Sequence, residues 1–532
     1  MKTALTPDVE ATPQRHRWPR PSPASRRRTS WTGIGLLVFL LCAAWAVAMP
    51  LMAAPDEPSH VLYAAAVARG QWGGELGPAA VDTSRPGAAT SVDLPTDFRA
   101  AASLPNCFAF YPDEAASCQQ DVAPPEPGVE VSVETFAGQY PPLYYLLVGW
   151  PSLFLDAEAA VYGMRLVSGA LTAAFVAWGL YRLTRSLGRS WAAWAAAAAV
   201  TPMCLFLGAS VNPQALEIAS GFAFWAACLA LARGASPAGR AVYVQAAVTG
   251  AVLVNSRSTG PVWALAILVV ALVLAPRGRW REVLAHPAAR WVGAAALLAG
   301  STAVGWLVTH PMLPGASHEL FPQYGNPVRT AAAILGHTYE YLVNMIGNFG
   351  WLDTPVPPAT EIVWIGALGA LLVPAVAARV RPRDRLALVL LLAGIVLAPV
   401  ALQLLNATTT GLIWQGRYGL PLAVGAPLVA AAVLSGERTE ARDLALRGGR
   451  LAVLAFGAGH VAAFWWASRR YAEGMDGDVV TLSPAWTSPI GYLTGVAAYA
   501  AVVAALTWIA WRAMRPAAPD AAPAPAGEPS QG

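Results

Sequence analysis

The sequence predicts an all-α, polytopic membrane protein of about twelve spans with both termini in the cytoplasm, on three observations. Of 532 residues, 56% are hydrophobic and only 12% charged, about half the ~25% usual in soluble chains. The apolar residues gather into runs of roughly 15 to 22, the helix length that crosses about 30 Å of hydrocarbon at ~1.5 Å per residue. Basic residues collect in short segments between these runs, as in cytoplasmic loops and unlike a nucleic-acid-binding surface. Composition thus excludes a water-soluble domain, assigns no nucleic-acid partner and makes the lipid bilayer the first partner.

In chain order, residues 1–30 carry Arg15, Arg17, Arg20, Arg26, Arg27 and Arg28 and read as a disordered basic cytoplasmic N-terminus. The run at 33–52 exceeds a signal-peptide core and lacks a small-x-small exit before Pro50, so it is a retained anchor. Further spans are expected at 166–184, 191–209, 215–233, 241–255, 260–275, 291–309, 361–378, 386–404, 419–435, 451–467 and 492–511. Strict alternation from an inside N-terminus puts every Arg-rich segment in the cytoplasm: Arg182–Arg189, Arg233–Arg240, Arg277–Arg290, Arg379–Arg385, Arg438–Arg450, and Arg512 with Arg515. Pro141–Leu155 is apolar, but about 15 residues is short for a span, and counting it would reverse every later loop. It is therefore read as a short outer-leaflet helix or re-entrant piece.

The chain then divides into the N-terminus 1–30, a transmembrane module at 31–435, a transmembrane pair at 436–511 and a disordered cytoplasmic tail at 512–532. Two long segments face outward, 53–165 and 310–360. Cys42, Cys204 and Cys228 fall in apolar spans, whereas Cys107 and Cys118 share the first outer loop, where an oxidising compartment favours a disulfide between them.

The features that suggest chemistry all lie on the outer face. After the first span comes Ala54-Pro55-Asp56-Glu57-Pro58-Ser59-His60. Pro58 suits a first helical turn and the dipole favours anions there; the acids are either a helix cap or a general base or metal-binding carboxylate. Gln139-Tyr140-Pro141-Pro142-Leu143-Tyr144-Tyr145 opens the ambiguous apolar segment, with prolines fixing an extended approach and tyrosines at the interface. Pro327–Ile346 has the spacing of one amphipathic helix capped by Asn326, followed by Asn348-Phe349-Gly350-Trp351-Leu352-Asp353. Trp351 and Asp353 either bind a polar substrate or anchor and cap. Arg257 in Asn255–Pro261, and Arg417 beside Tyr418 in Trp414–Tyr418, either clasp a phosphate or snorkel to headgroups.

Taken in order, these motifs resemble the DUF2142 family of bacterial membrane proteins, grouped with the GT-C glycosyltransferases. The resemblance rests on Pro55, Asp56, Glu57, Pro58 and His60; on Pro141–Tyr145; on Gly347, Gly350, Trp351 and Asp353; and on Gly416, Arg417 and Tyr418. It implies GT-C-like outer loops carrying surface helices, in a multi-pass protein of the plasma (inner) membrane. It also implies an inverting transferase that takes a sugar from a polyprenyl-phosphate donor and glycosylates an envelope glycan or lipid acceptor on the outer face. Asp56 would be the base and Glu57 or His60 would orient the acceptor. Arg257 and Arg417 would hold the donor phosphate, with Tyr140, Tyr144, Trp351, Asp353 and Tyr418 as further binding residues. Asn212 stands where many relatives carry an acid and Arg257 where a lysine often precedes Gly-Pro, so no metal ligand or cofactor is assigned and a divalent metal stays open. The alternatives are a polysaccharide polymerase or lipid-linked transporter, for which Glu217 and His460 are the in-span ionisable residues, and a non-catalytic membrane subunit.

Overall fold

The computed structural model describes residues 31–73, 75–76, 90–234, 238–310, 319–377, 379–436 and 440–514. Residues 1–30 and 515–532, expected to be disordered, lie outside the described residues. A helix stands at each of the twelve expected spans. Among the described residues, nine helical segments are long and apolar enough to cross a membrane: Trp31–Ala48, Ala157–Leu187, Gln214–Arg233, Ala289–Thr309, Pro358–Ala377, Pro382–Gln403, Gly416–Ser435, Ala445–Glu473 and Tyr492–Ala513.

The other three expected spans depart from a straight crossing. The span placed at 191–209 is a pair of helices, Arg189–Ala199 and Pro202–Gly208, bent by 71°. Pro202 cannot continue the first helix and instead opens the second, whose Thr201 cap accepts from the Cys204 amide. Arg240–Ser256 and Gly260–Leu274 have 17 and 15 residues and fall short of span length.

Gln214–Arg233 is the centre of the bundle. It is apolar on all faces and its span is buried throughout, as expected of a helix ringed by others. Ala157–Leu187 crosses it at Gly179, where a Cβ would stand 2.6 Å from the Phe222 ring, so only glycine permits this approach. Asp156 caps that long helix by accepting from the Ala159 amide.

The loop after the first span, expected to face outward, folds onto the bundle. Helix Glu57–Ala68 is almost wholly enclosed. Beside it stands a three-stranded antiparallel sheet, Glu75–Leu76, Thr90–Pro95 and Glu130–Thr135, with Thr90 opposite Thr135 and Pro95 opposite Glu130. Reading this loop as helices alone misses the sheet, although Val92, Leu94 and Val133 turn inward in the alternation of a half-buried ribbon. Cys107 and Cys118 are disulfide-bonded. Pro141–Leu155 forms a short helix, Leu143–Val148, and one further turn, too short to cross. In the second outer loop the single helix expected over 327–346 is two, Pro327–Gly336 and Thr338–Asn344, separated at His337 behind a helix-weakening glycine. Asn326 caps the first, its Oδ1 accepting from the Val328 and Arg329 amides.

Candidate active site beside the first span

Asp56 has φ 65°, the left-handed region that Asp tolerates better than most residues. This one backbone reversal sends two adjacent carboxylates to different partners. Asp56 makes no side-chain cap at the helix it precedes, so the cap reading is corrected. Its carboxylate accepts from Arg417 Nη2 at 2.8 Å. Glu57, wholly buried, receives Arg165 Nε at 2.8 Å and Nη2 at 2.6 Å, with the Val211 amide at 3.0 Å. Arg165 also donates to the carbonyls of Ala46, Met49 and Pro50. The Glu57–Arg165 pair thus clamps the end of the first span to the turn that presents Asp56.

The Asp56 side chain is 54% exposed, whereas that of Arg417 is 1% exposed: the carboxylate opens to one side and is walled on the others. The walls push its carboxyl group up, but Arg417, with Arg257 beyond it, outweighs them and holds it below the usual carboxylate range. His60 is buried, its Nδ1 2.9 Å from the Tyr145 hydroxyl. Burial pushes it down to about 3, with Asp56 opposing and Arg257 and Arg417 adding to the shift, so it is neutral at physiological pH.

Arg257 ends helix Arg240–Ser256. Its guanidinium lies 5.3 Å from the Tyr140 ring and 5.0 Å from that of Tyr418, with Nη1 3.8 Å from Glu217. Thr259 Oγ1 donates to Glu217 at 2.8 Å. Burial works against the charge of Arg257, but Tyr140, Glu217 and Tyr418 hold its pKa above the ordinary arginine value. Arg417 is fixed by Asp56 and by Nε donation to Gln415 at 2.5 Å, and its own guanidinium lies 5.4 Å from the Tyr418 ring. Arg417 Nη1 and Arg257 Nε and Nη1 are buried without a hydrogen-bond partner among the described residues. Two cations, of which Arg417 has a buried donor without a hydrogen bond, beside one half-open carboxylate suit an anion together with a group that must lose a proton.

Asp56, His60, Tyr140, Arg257, Arg417 and Tyr418 therefore share one site. The remaining sequence candidates support it from outside. Tyr144 is fully buried, donating to Ser168 Oγ at 3.0 Å and accepting from the Asn212 amide at 2.9 Å. Trp351 Nε1 donates to the Met52 carbonyl at 3.1 Å. Asp353 pairs with Arg470 at 3.1 Å, and Arg470 also donates to the carbonyls of Phe108, Tyr111 and Glu114 inside the disulfide loop. Sequence reading gave no site role to Arg165, Tyr145, Gln415 or Arg470, although Tyr145 and Gln415 lie in the motifs it singled out. Arg165 and Arg470 had one available signal: in the expected topology each is an arginine at the outward end of a span, against the inside bias of the Arg-rich loops. Among the described residues no group of three or more His, Cys, Asp and Glu side chains could hold a metal ion, and the one half-open carboxylate of the site already faces an arginine.

Over residues 39–426 the sequence matches the family described as a predicted membrane protein, DUF2142. The chain belongs to this family. Residues from the first outer turn to the Gly416–Tyr418 turn all fall inside the DUF2142 match. No curated protein matches the sequence. Among solved structures the chain is similar to ArnT from Cupriavidus metallidurans in its apo state, at 14% identity over 91% of this chain and 76% of that one, with a TM-score of 0.42. That superposition is too loose to carry residue roles from one chain to the other.

Proposed function

We propose that this DUF2142 protein is a membrane glycosyltransferase of the GT-C kind, moving a sugar from a polyprenyl phosphate to an envelope glycan or lipid at the outer face of the plasma membrane. The observation that carries the reading is the ion pair of half-open Asp56 with Arg417, whose buried Nη1 makes no hydrogen bond among the described residues, beside Arg257, which is paired with Glu217. Asp56 accepts the proton of the acceptor hydroxyl as that oxygen bonds to the anomeric carbon. The bond from that carbon to the phosphate oxygen breaks, and polyprenyl phosphate leaves as an anion, with inversion at the sugar. A phosphate leaving group needs no strong acid, so one carboxylate suffices, whereas glycoside hydrolysis needs two.

The ion pair has a consequence for timing. While Arg417 faces Asp56 the carboxylate is ionised but weakly basic; a donor phosphate competing for Arg417 weakens that pairing and raises the basicity of Asp56. Arg257, held by Glu217 and two tyrosine rings, supplies the second phosphate contact. Neutral His60 lines the acceptor side, and Glu57, fully engaged by Arg165, has a holding role.

The experiment is incubation of the purified, lipid-reconstituted protein with radiolabelled polyprenyl-phosphate sugars and an envelope extract. Label should move from the lipid to the acceptor, and an Arg257→Ala/Arg417→Ala variant should abolish both transfer and retention of the donor lipid. A wild-type protein that neither retains polyprenyl phosphates nor turns them over would refute the reading in favour of a non-catalytic subunit. Movement of intact lipid across the bilayer without transfer would favour a transporter.

A further inference from the structure

A cavity of about 350 Å³ adjoins the site, lined in part by Glu340, Asn344, Asn348, Trp414, Gln415 and Arg417. Gly416 is one of its lining residues. A Cβ there would stand 2.1 Å from the Tyr341 carbonyl oxygen and 2.9 Å from the Asn344 Cβ, so only glycine lets helix Thr338–Asn344 lie against the turn that carries Arg417. That contact brings residues from the second outer loop to the Arg417 guanidinium.

Met203, Leu352, Leu412 and Ile413 make the apolar half of the wall, and the polar half is underused. Arg417 Nη1, Trp414 Nε1 and Asn348 Oδ1 are buried without a hydrogen-bond partner among the described residues. Arg417 and Trp414 are 1% and 9% exposed, so these donors cannot readily turn to bulk water. Asn344 and Asn348 are half-buried and their side chains make no hydrogen bond among the described residues, Asn348 Oδ1 alone of their polar atoms being buried. Buried polar groups left in this state each cost about 1 to 3 kcal/mol unless something fills the space. A volume of about 350 Å³ lies at the small end of ligand pockets. It suits one compact, hydroxyl-rich group, with amide and indole donors, the Glu340 carboxylate and the Asn348 carbonyl as matching partners.

We propose that this cavity receives the sugar of the lipid-linked donor, with Asn344 and Asn348 selecting its hydroxyl pattern while Arg417, shared by cavity and site, meets the adjoining phosphate. The proposal rests on the function proposed above and adds which residues set sugar choice. A site built to pair with hydroxyls discriminates strongly, because the wrong sugar leaves these amides unpaired.

The test is calorimetric binding to the full-length protein in lipid nanodiscs, with farnesyl phosphate and its glucosyl, galactosyl, mannosyl and arabinosyl esters as probes. At least one ester should bind tenfold or more tighter than farnesyl phosphate. Asn344→Ala and Asn348→Leu should each remove that gain while leaving the Kd of farnesyl phosphate within about twofold; binding of farnesyl phosphate also certifies that each variant is folded. Esters that bind no tighter than farnesyl phosphate, or a gain that survives both substitutions, would overturn the cavity assignment and leave the phosphate site standing. Wild-type protein that fails to bind farnesyl phosphate at all would overturn the proposed function and the cavity assignment together.

Discussion

Replacing Asp56 with Asn separates chemistry from scaffolding. Asn keeps the shape, tolerates the positive φ at this position, and can still accept a hydrogen bond from Arg417, but it cannot take a proton. Loss of a general base lowers a rate by about 10² to 10⁴, or roughly 2.7 to 5.5 kcal/mol of transition-state stabilisation. The stability cost follows from the ion pair, since Asp56 has no capping bond to lose. Exposed pairs contribute under ~1 kcal/mol and broken buried pairs cost about 3 to 5. Here one partner is 54% and the other 1% exposed, and the Asn oxygen retains part of the contact, so the substitution should cost roughly 1 to 2 kcal/mol. The assay is transfer of labelled sugar by protein matched for folded fraction, alongside thermal unfolding. A variant that transfers at near wild-type rate would remove Asp56 as base and leave its pair with Arg417 as a structural contact.

Arg165→Met should destabilise by about 3 to 5 kcal/mol, because it strands the buried Glu57 carboxylate; thermal unfolding checks this, and adding Glu57→Gln should recover part of the loss. Mass spectrometry of unreduced, alkylated protein should find Cys107 and Cys118 joined, and reduction should cost about 2 to 3 kcal/mol in unfolding. The carboxyl of Asp56 is depressed, so it adds stability above the usual carboxylate range and loses it as pH falls through the lowered value. The acid limb of the kcat/KM profile should accordingly lie below that range, and a limb near neutral pH would contradict it. Cysteines placed at Ala123 and Ala285, both exposed, should label from outside and only after permeabilisation, respectively. The native free thiols are buried, and the reverse pattern would invert the topology.

Helix placement was legible because it depends on one scalar, apolar length, which the chain states openly. What hydropathy could not supply was any feature decided by a single contact. The bend after Ala199 turns on Pro202, the break at His337 on Gly336, and the small outer sheet on pairing between strands about 40 residues apart, Thr90–Pro95 and Glu130–Thr135. The candidate site divided along the same line. Motif order brought Asp56, Arg257 and Arg417 forward as candidates, yet nothing in Asp56-Glu57 says which carboxylate is free. That depends on the sign of one φ angle, and the two acids diverge to partners 361 and 108 positions away.

Charge placement on the outer face ties the site to the fold. Positive charge is normally kept on the cytoplasmic side of short loops, so an arginine at the outer end of a span carries a cost unless something holds it. Among the described residues four of these arginines each meet one acid, Arg165 with Glu57, Arg257 with Glu217, Arg417 with Asp56, and Arg470 with Asp353, while Arg469 beside Arg470 donates to backbone carbonyls. In three of these pairs the acid is enclosed, its side chain at most 7% exposed; only Asp56 opens to solvent. Breaking any of the three enclosed pairs strands a charge in low dielectric, which makes them clamps. Under the proposed transferase reading an acceptor hydroxyl can reach only the fourth, so the ion-pair chemistry that fastens the loops to the bundle leaves one carboxylate open to take its proton, and that carboxylate is Asp56.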